Sequence, residues 1–328
     1  MKVSEQMNLI PELGFSWRPL TASDSAEFQA LANRIEDADG LPYRTSESEI
    51  FDLFNDDAHM RCIGGWKDDV LRCYAFVRIR EANLTHAMCQ GGVDPQYRGI
   101  GIGGALVAWL TDTAKGLLET AEVTSEDTKL IEFYVEMGNA ELEYHLNGLG
   151  YQWRRSFYDL RAPLISQPSY VELNSLFSIE PWQHFTESEI LEVENRVSYE
   201  QRQRSPQSLA TWLAGRSDFK PEWSFVAVDN RADRPVIAGF LMASAYEQDW
   251  QVLGWKEGNI DQIAVLEEYS AEPLAEALIT ATMRAQFKDG MNHTATGLSS
   301  TNASGALGIY KNLGFETVAT AKLFSLSV

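Results

Sequence analysis

The sequence predicts an α+β protein built from two domains that share one order of secondary-structure elements. The chain has 328 residues, enough for two domains of ~150 residues each. Apolar residues make up 45% of it and charged residues 23%, a composition typical of globular proteins with a sizeable core. The succession β-α-α-β-β-β-α-β-α-β can be followed twice, which indicates an internal repeat on the scale of a whole domain.

Apolar periodicity and turn residues define the elements of the first half. The predicted helices are residues 26–35, 46–54, 103–118 and 139–149, and the predicted strands are residues 60–65, 71–79, 85–93, 129–135 and 151–160. Because short turns join only antiparallel neighbours, we expect the first three of these strands to pair antiparallel. The strand at 151–160 is expected to complete the first domain.

A linker and a second set of the same elements follow. Residues 161–177 contain Pro163 and Pro168 and show little periodicity, which is typical of a linker. Beyond it, the predicted helices are residues 185–198, 205–214, 271–287 and 304–313, and the predicted strands are residues 223–228, 235–245, 259–265, 292–298 and 315–326. The predicted domains are therefore residues 1–162 and 177–328, joined by a linker of residues 163–176.

The net charge argues against polyanionic binding partners. The chain has 27 Lys and Arg against 47 Asp and Glu, a formal charge of −20 that both halves share. Such a surface suits neither the phosphates of a nucleic acid nor an anionic membrane. The acidity leaves two interpretations open, which are solubility and the attraction of a cationic ligand.

The sequence carries no targeting, redox or metal signal. Cys62, Cys73 and Cys89 are too few for a disulfide framework and lie in strand-like segments, so buried reduced thiols are expected. The first residues lack the apolar core of a secretory signal, and no apolar run reaches the ~18 residues of a membrane span. No cluster of Cys or His has metal-ligand spacing. We therefore expect a cytoplasmic protein without a metal site.

The chemistry concentrates in a glycine-rich turn between a predicted strand and a predicted helix. Gly99, Gly101, Gly103 and Gly104 follow Arg98 within it. Glycines permit positive φ and close approach of the backbone, so successive N–H groups can point into one concavity. Such a site suits a phosphate or pyrophosphate, because unsatisfied N–H groups and the helix dipole favour anions. The guanidinium of Arg98 adds a fixed cation.

Two ligand classes compete for this turn. Gly99, Gly101 and Gly104 match the GxGxxG fingerprint of dinucleotide-binding proteins. That interpretation requires a βαβ unit with parallel strands, whereas three strands joined by short turns precede the glycines here. The second class is an acyl-coenzyme A acyltransferase, which also binds a pyrophosphate.

Around the turn the sequence resembles the GNAT superfamily of N-acetyltransferases. Their pyrophosphate loop reads Q/R-x-x-G-x-G/A, which residues 98–103, RGIGIG, match. The resemblance covers both halves and implies a tandem GNAT protein of the mycothiol-synthase-like, two-domain kind. Each domain would then have a mixed, mostly antiparallel central sheet flanked by helices, with the thioester between a diverging fourth and fifth strand. The resemblance also implies acetyl-CoA as the acyl donor, bound by Val93, Arg98, Gly99, Ile100, Gly101, Ile102, Gly103, Gly104 and Asn139.

The second signature of the family, N-x-x-(G)-A-x-x-x-Y-x-x-x-G-F, carries a tyrosine that often protonates the departing thiolate. The second half shows this signature, with Tyr310 in the tyrosine position. In the first half that position holds Leu146, which has no proton to donate. Tyr144 and His145 are its neighbours and are candidates for the role, although adjacent helical residues point ~100° apart.

The second half keeps the tyrosine but lacks the residues of the pyrophosphate loop. In its corresponding loop, Ser270 stands in the position of the arginine, and Ala271, Pro273 and Ala275 stand in glycine positions. Proline removes an amide donor, and three glutamates bring negative charge to the place of the pyrophosphate. We therefore expect only the first half to bind the cofactor, which favours packing over proton donation for Tyr310.

The reaction that the resemblance implies needs a neutral amine to attack the acetyl carbonyl, so a general base must accept the amine proton. His86 on the fourth strand and Glu132 on the fifth are candidates, and the acidic residues 36–39 are candidates for holding a cationic amine. The predicted catalytic residues are thus His86, Glu132, Tyr144, His145 and Tyr310. The hypothesis is an acetyl-CoA-dependent N-acyltransferase that moves an acetyl group to a primary amine of a small molecule by direct attack in a ternary complex. The alternative is a non-catalytic acyl-CoA-binding sensor or scaffold protein.

Overall fold

The chain divides into two compact units. The computed structural model describes residues 10, 13–55, 59–79, 84–121, 128–202, 206–231 and 234–328. The first unit comprises Met1–Arg155 and Ala321–Val328, and the second comprises Ser156–Thr320. Each unit combines helices with a mixed, mostly antiparallel sheet, so the predicted fold class is confirmed. The predicted start of one helix at residue 205 lies outside the described residues.

Most elements lie within a few residues of their predicted positions. The short β1 and β7 are the leading strands of the predicted succession, for which no range was given, and α7 is an addition. The strands are β1 (Ser16–Arg18), β2 (Met60–Lys67), β3 (Val70–Ile79), β4 (His86–Val93), β5 (Leu130–Glu136), β6 (Gln152–Pro163), β7 (Phe177–Pro181), β8 (Phe225–Asp229), β9 (Val236–Ser244), β10 (Glu257–Val265), β11 (His293–Ser299) and β12 (Glu316–Ser327). The helices are α1 (Ser25–Asp39), α2 (Glu47–Asn55), α3 (Ile102–Thr120), α4 (Ala140–Gly148), α5 (Glu187–Arg202), α6 (Leu209–Leu213), α7 (Trp250–Leu253), α8 (Leu274–Lys288) and α9 (Ala303–Asn312).

The sheet of the first unit has the strand order β1-β2-β3-β4-β5-β12, in which only β4 and β5 run parallel. The pairing of β4 with β5 ends at Cys89 and Phe133. Beyond these residues the two strands are no longer hydrogen-bonded to each other. A gap therefore opens between residues 90–93 of β4 and residues 134–136 of β5, as expected for a diverging fourth and fifth strand.

Each sheet is completed by a strand from the other half of the sequence. Residues 157–163 of β6 pair with β11 in the second unit, and residues 321–327 of β12 pair with β5 in the first unit. The expectation that residues 151–160 complete the first sheet is therefore wrong. Amphipathic alternation identifies a strand and its buried face, but it does not identify the neighbouring strand. The compact units differ from the predicted domain limits for the same reason.

The second unit repeats the strand arrangement of the first. Its sheet order is β6-β11-β10-β9-β8-β7, and only β10 and β11 run parallel. The pairing of β10 with β11 ends at Ile260 and Thr296, so these strands also part before the end of β10. Two units with one strand arrangement confirm the internal repeat.

Apolar clusters cover both faces of the first sheet and thereby fix its orientation between the helices. Residues of α3 such as Leu110 and Ala114 are buried on one face, and residues of α1 and α2 such as Leu31 and Ile50 are buried on the other. In the second unit, Phe240 packs edge-on against Trp182 and Trp212. Among the helices that the structure describes, none is long and apolar enough to cross a membrane.

Candidate functional site

The glycine turn after β4 has the backbone conformation that its sequence requires. Gly99 and Gly101 have φ values of 75° and 92°, in the left-handed region that favours glycine. Gly101 is the residue before the first turn of α3, and apart from the adjoining backbone no atom of the described residues lies within 4 Å of the position of a Cβ at Gly99, Gly101 or Gly103. The amides of this turn therefore border an open concavity at a helix N-terminus, which suits a phosphate group.

Asp94 fixes the end of β4 where the turn begins. Its buried carboxylate accepts hydrogen bonds from the backbone N of Gln96 at 3.1 Å, from Arg34 Nε at 2.9 Å and from Arg72 Nη1 at 3.1 Å. Burial acts to raise the pKa of Asp94, but these hydrogen bonds and the charge of Arg34 outweigh it, and the pKa is lowered. Asp94 is thus ionised and holds the turn in place. Sequence reasoning missed this role because Arg34 lies 60 residues away in the chain.

Arg98 lies at the rim of the concavity and is held by a carboxylate of α1. Its Nε donates to the carbonyl of Val93 at 3.2 Å, and its two terminal nitrogens donate to Asp39 at 2.5 Å and 3.0 Å. The carboxylate of Asp39 therefore occupies the guanidinium edge that a phosphate group would contact.

The gap between β4 and β5 has polar groups on the face that packs against α1 and α2. Gln90, on that face of β4, donates from Nε2 to the hydroxyl of Tyr74 at 3.5 Å. On β5 the carboxylate of Glu136 accepts a hydrogen bond from the hydroxyl of Tyr43, in the segment between α1 and α2. Burial and the nearby Glu136 carboxylate raise the pKa of Tyr43, so its phenol stays protonated. Sequence reasoning missed Glu136 because its partner is 93 residues distant.

Comparison with known proteins agrees with this geometry. Residues 27–138, which contain the turn and the gap, match the acetyltransferase (GNAT) family. The chain contains a GNAT domain. Over 95% of both chains, the structure resembles a GCN5-related N-acetyltransferase from Sphaerobacter thermophilus, with a TM-score of 0.74 and 19% sequence identity. A tandem GNAT protein from the clavulanic acid biosynthesis pathway gives a TM-score of 0.66 and 14% identity over 95% of this chain and 98% of that one.

These structural likenesses establish a tandem GNAT fold. No curated protein matches the sequence significantly.

Within the GNAT domain, the predicted bases His86 and Glu132 contact each other. His86 Nδ1 lies 2.9 Å from Glu132 Oε2, and Ser325 of β12 donates to Glu132 Oε1 at 3.1 Å. Burial acts to raise the pKa of Glu132, but His86, Ser325 and the charge of Arg155 together lower it. His86 precedes Gln90 by four residues, or roughly 13 Å along an extended strand. The pair therefore lies where β4 and β5 are still hydrogen-bonded, away from the gap.

Helix α4 presents the other predicted residues of this half. Tyr144 is mostly exposed, and the ring of His145 packs against Gly104, where a Cβ would come within 2.9 Å of it. Both side chains line a cleft of about 530 Å³ beside the N-terminal turns of α3. Leu146, in the tyrosine position of the family signature, is fully buried. Asn139 caps α4, because its side chain accepts a hydrogen bond from the backbone N of Leu142 at 3.1 Å.

The second unit retains the diverging strands but lacks the glycine turn with positive φ. None of the residues 266–273, all of which the structure describes, has positive φ, and α8 begins directly after Pro273. Glu268 in this loop pairs with Arg196 at 2.8 Å. Tyr310 is buried edge-on against Phe315 with ring centroids 5.1 Å apart, and burial raises its pKa. That only the first unit binds the cofactor stays a prediction.

Proposed function

We propose that the protein is an acetyl-CoA-dependent N-acyltransferase whose first unit transfers the acetyl group to the primary amine of a small molecule. The observation that carries the proposal is the positive-φ turn at Gly99 and Gly101, which leads into α3 directly beside the gap between β4 and β5. A coenzyme A pyrophosphate requires such a cradle of amides, and its pantetheine arm requires an adjacent slot that leads to the acceptor.

Groups of this chain would bind the acyl donor both at its pyrophosphate and at its thioester. The amides of residues 99–104 and the guanidinium of Arg98 would bind the pyrophosphate. Residues 90–93 of β4 keep one backbone edge unpaired because β5 has moved away from them. Because successive N–H groups of a strand point to opposite edges, every second N–H of this segment would face the gap, where it would hydrogen-bond the thioester carbonyl and stabilise the oxyanion that forms during attack.

The acceptor amine would approach from the α1 and α2 face of the gap. There the amine nitrogen attacks the thioester carbon, its proton passes to a nearby base, and coenzyme A leaves as the thiolate or thiol. We assign the proton acceptor to the carboxylate of Glu136, which Tyr43 orients. A carboxylate at this place also favours a cationic acceptor. Of the acidic residues 36–39, Asp37 and Asp39 fit the role of amine holder less well, because they bind Arg44 and Arg98. Glu36 binds Thr45 through Oε1, and its Oε2 has no hydrogen-bond partner among the described residues.

Calorimetric titration and an activity assay test this proposal. We expect acetyl-CoA to bind with one equivalent per chain, because the second unit lacks the turn. Free coenzyme A should then be released when a pooled panel of primary amines is added. Binding of two equivalents would contradict the assignment of cofactor binding to the first unit alone. Tight binding without release by any amine would favour the sensor, which the buried Leu146 at the usual acid position also motivates.

Arg98 and Asp39 form an ion pair, and we expect replacement of each partner to change the affinity for acetyl-CoA in opposite directions. Arg98→Ala removes a charge-assisted contact and should weaken acetyl-CoA binding by about tenfold or more. Asp39→Asn removes the competing carboxylate and should strengthen binding by about threefold to fivefold, since exposed pairs of this kind contribute little to stability. The control is Asp37→Asn, which removes the same charge from the same helix end, where Asp37 contacts Arg44.

Calorimetry at low ionic strength measures the acetyl-CoA affinity of all three variants. A loss of affinity in Asp39→Asn would mean that Asp39 positions Arg98 for the ligand instead of competing with the ligand. The Asp37→Asn variant separates either result from a general effect of net charge.

A further inference from the structure

Two consecutive glycines, Gly91 and Gly92, lie where β4 borders the gap in the first unit. A Cβ at Gly92 would come within 2.6 Å of Cε1 of Tyr74 and within 2.7 Å of Cδ1 of Ile35. Tyr74 belongs to β3 and Ile35 to α1, and both side chains are part of the apolar cluster under α1 and α2. They lie so close to the backbone of β4 that only a residue without a side chain fits at position 92. We call Ile35 and Tyr74 the apolar wall.

The apolar wall is held by its own packing. Tyr74 is buried, and its ring centroid lies 4.6 Å from that of Phe28 and 6.2 Å from that of Phe76. Ile35 is half-buried and packs against the same cluster. Because a well-packed interior accommodates an added methylene only at a cost in strain, the apolar wall does not retreat easily from a bulky ligand.

The backbone of β4 determines the place of a thioester in the gap. The N–H of Asp94, the residue after β4, donates to the carbonyl of Arg72 on β3 at 2.7 Å, so it points away from the gap. Since successive N–H groups of a strand point to opposite edges, those of Gly91 and Val93 point into the gap. Gly92 lies between these two residues. A thioester whose oxygen binds either N–H therefore has its carbonyl carbon beside Gly92 and the apolar wall.

The three substituents of the carbonyl carbon then point in three directions. The oxygen faces β4, and the sulfur continues into the pantetheine arm, which comes from the turn before α3. The acyl chain is the third substituent, so it extends toward the face of α1 and α2. There it meets the apolar wall on the side of β4. On the side of β5 it meets Tyr43, which lies close enough to Tyr74 for the two phenols to interact electrostatically.

We propose that Ile35 and Tyr74 select the acyl group, and that they admit acetyl and exclude longer acyl chains. This inference rests on the proposed function, because it concerns the acyl donor of the same site. During transfer the bond from the acyl carbon to sulfur breaks and a bond to the amine nitrogen forms. The amine proton passes to Glu136, and coenzyme A leaves with the electron pair of the broken bond. The apolar wall takes no part in these steps and determines only which acyl groups reach the position in which they occur.

A series of donors tests the proposal with the best acceptor of the amine panel. Acetyl-, propionyl- and butyryl-CoA differ only by one methylene at each step. We expect kcat/KM of the wild type to fall by about tenfold or more for each methylene that is added. Equal kcat/KM for acetyl-CoA and butyryl-CoA would overturn the role of the apolar wall and leave the proposed function standing. Absence of coenzyme A release from all three donors would overturn the proposed function and this inference with it.

Two variants locate the selection at the apolar wall. Ile35→Ala and Tyr74→Leu both shorten it, and each should raise kcat/KM for butyryl-CoA relative to acetyl-CoA by about tenfold or more. Ile35 is only half-buried, so its truncation remains informative if thermal melting shows that Tyr74→Leu does not fold. The matched control is Leu53→Ala, which truncates a half-buried residue of the same cluster on α2. The three atoms nearest to a Cβ at Gly92 belong to Tyr74 and Ile35, so the control should keep the wild-type ratio of the two donors.

Two further measurements show whether the apolar wall faces the acyl chain or the amine. Calorimetry without an amine should give an affinity of the wild type for butyryl-CoA that is about tenfold or more below that for acetyl-CoA, and Ile35→Ala should reduce this difference. Kinetics with acetyl-CoA and a series of amines of increasing size give the acceptor preference. A wider range of acceptors in Ile35→Ala, with the donor ratio unchanged, would mean that the apolar wall faces the amine and would overturn the proposal.

Discussion

Replacing Gly101 with valine is expected to weaken acetyl-CoA binding by about 100-fold or more while the chain stays folded. Gly101 has a φ of 92°, and an L-residue in the left-handed region costs about 1–2 kcal/mol, more for a β-branched side chain. Beyond its chain neighbours, no atom of the described residues lies within 4 Å of the Cβ position, so the new Cβ has space. It would instead extend over the amides that we assign to the pyrophosphate. The substitution thus combines a distorted turn with a blocked site.

Calorimetry of acetyl-CoA and thermal melting together measure this effect. The matched control is Gly116→Val, the same substitution within α3, at a glycine without positive φ and without a close neighbour. The control should bind acetyl-CoA like wild type. Wild-type affinity in Gly101→Val would mean that the anion lies outside the turn, and the acyltransferase proposal would lose its main support.

The fold was largely predictable because each element carries a local signal. The apolar face of α3 follows helical spacing, and the short turns between β2, β3 and β4 require antiparallel pairing. The glycines at 99 and 101 required a turn with positive φ, and both have it. What local signals do not contain is the neighbour of a strand. For that reason the exchange of β6 and β12 between the two sheets was not foreseen.

The candidate site was predictable only where its residues are adjacent in sequence. Residues 98–104 form one continuous segment, so their chemistry could be identified from the order of residue types alone. Asp94 with Arg34, and Glu136 with Tyr43, are pairs that only the folded chain brings together. His86 and Glu132 show that suitable residue types alone do not locate a site. Their residue types suit a base, but the extent of strand pairing places them away from the gap.

Replacing Glu136 with glutamine is expected to lower kcat by about 100-fold with the best acceptor of the amine panel, because a positioned general base contributes ~10²–10⁴ to the rate. The affinity for acetyl-CoA should not change, since Glu136 lies on the face of the sheet opposite α3. Tyr43→Phe removes only the hydrogen bond that orients the carboxylate and should lower kcat by a smaller factor. Steady-state kinetics and calorimetry on the same preparations separate catalysis from binding.

Glu132→Gln is the matched comparison, since it removes a carboxylate from the same strand and the same face four residues earlier. Glu132 contacts His86 and Ser325 where β4 and β5 are still paired, so no substrate atom can pass between the strands there. Its replacement should therefore affect stability more than kcat. The opposite pattern, a loss of kcat in Glu132→Gln with little change in Glu136→Gln, would require the amine proton to travel roughly 13 Å to the His86 pair through ordered water. Because proton transfer needs hydrogen-bond reach or a bridging water, the carboxylate that borders the gap is the better base.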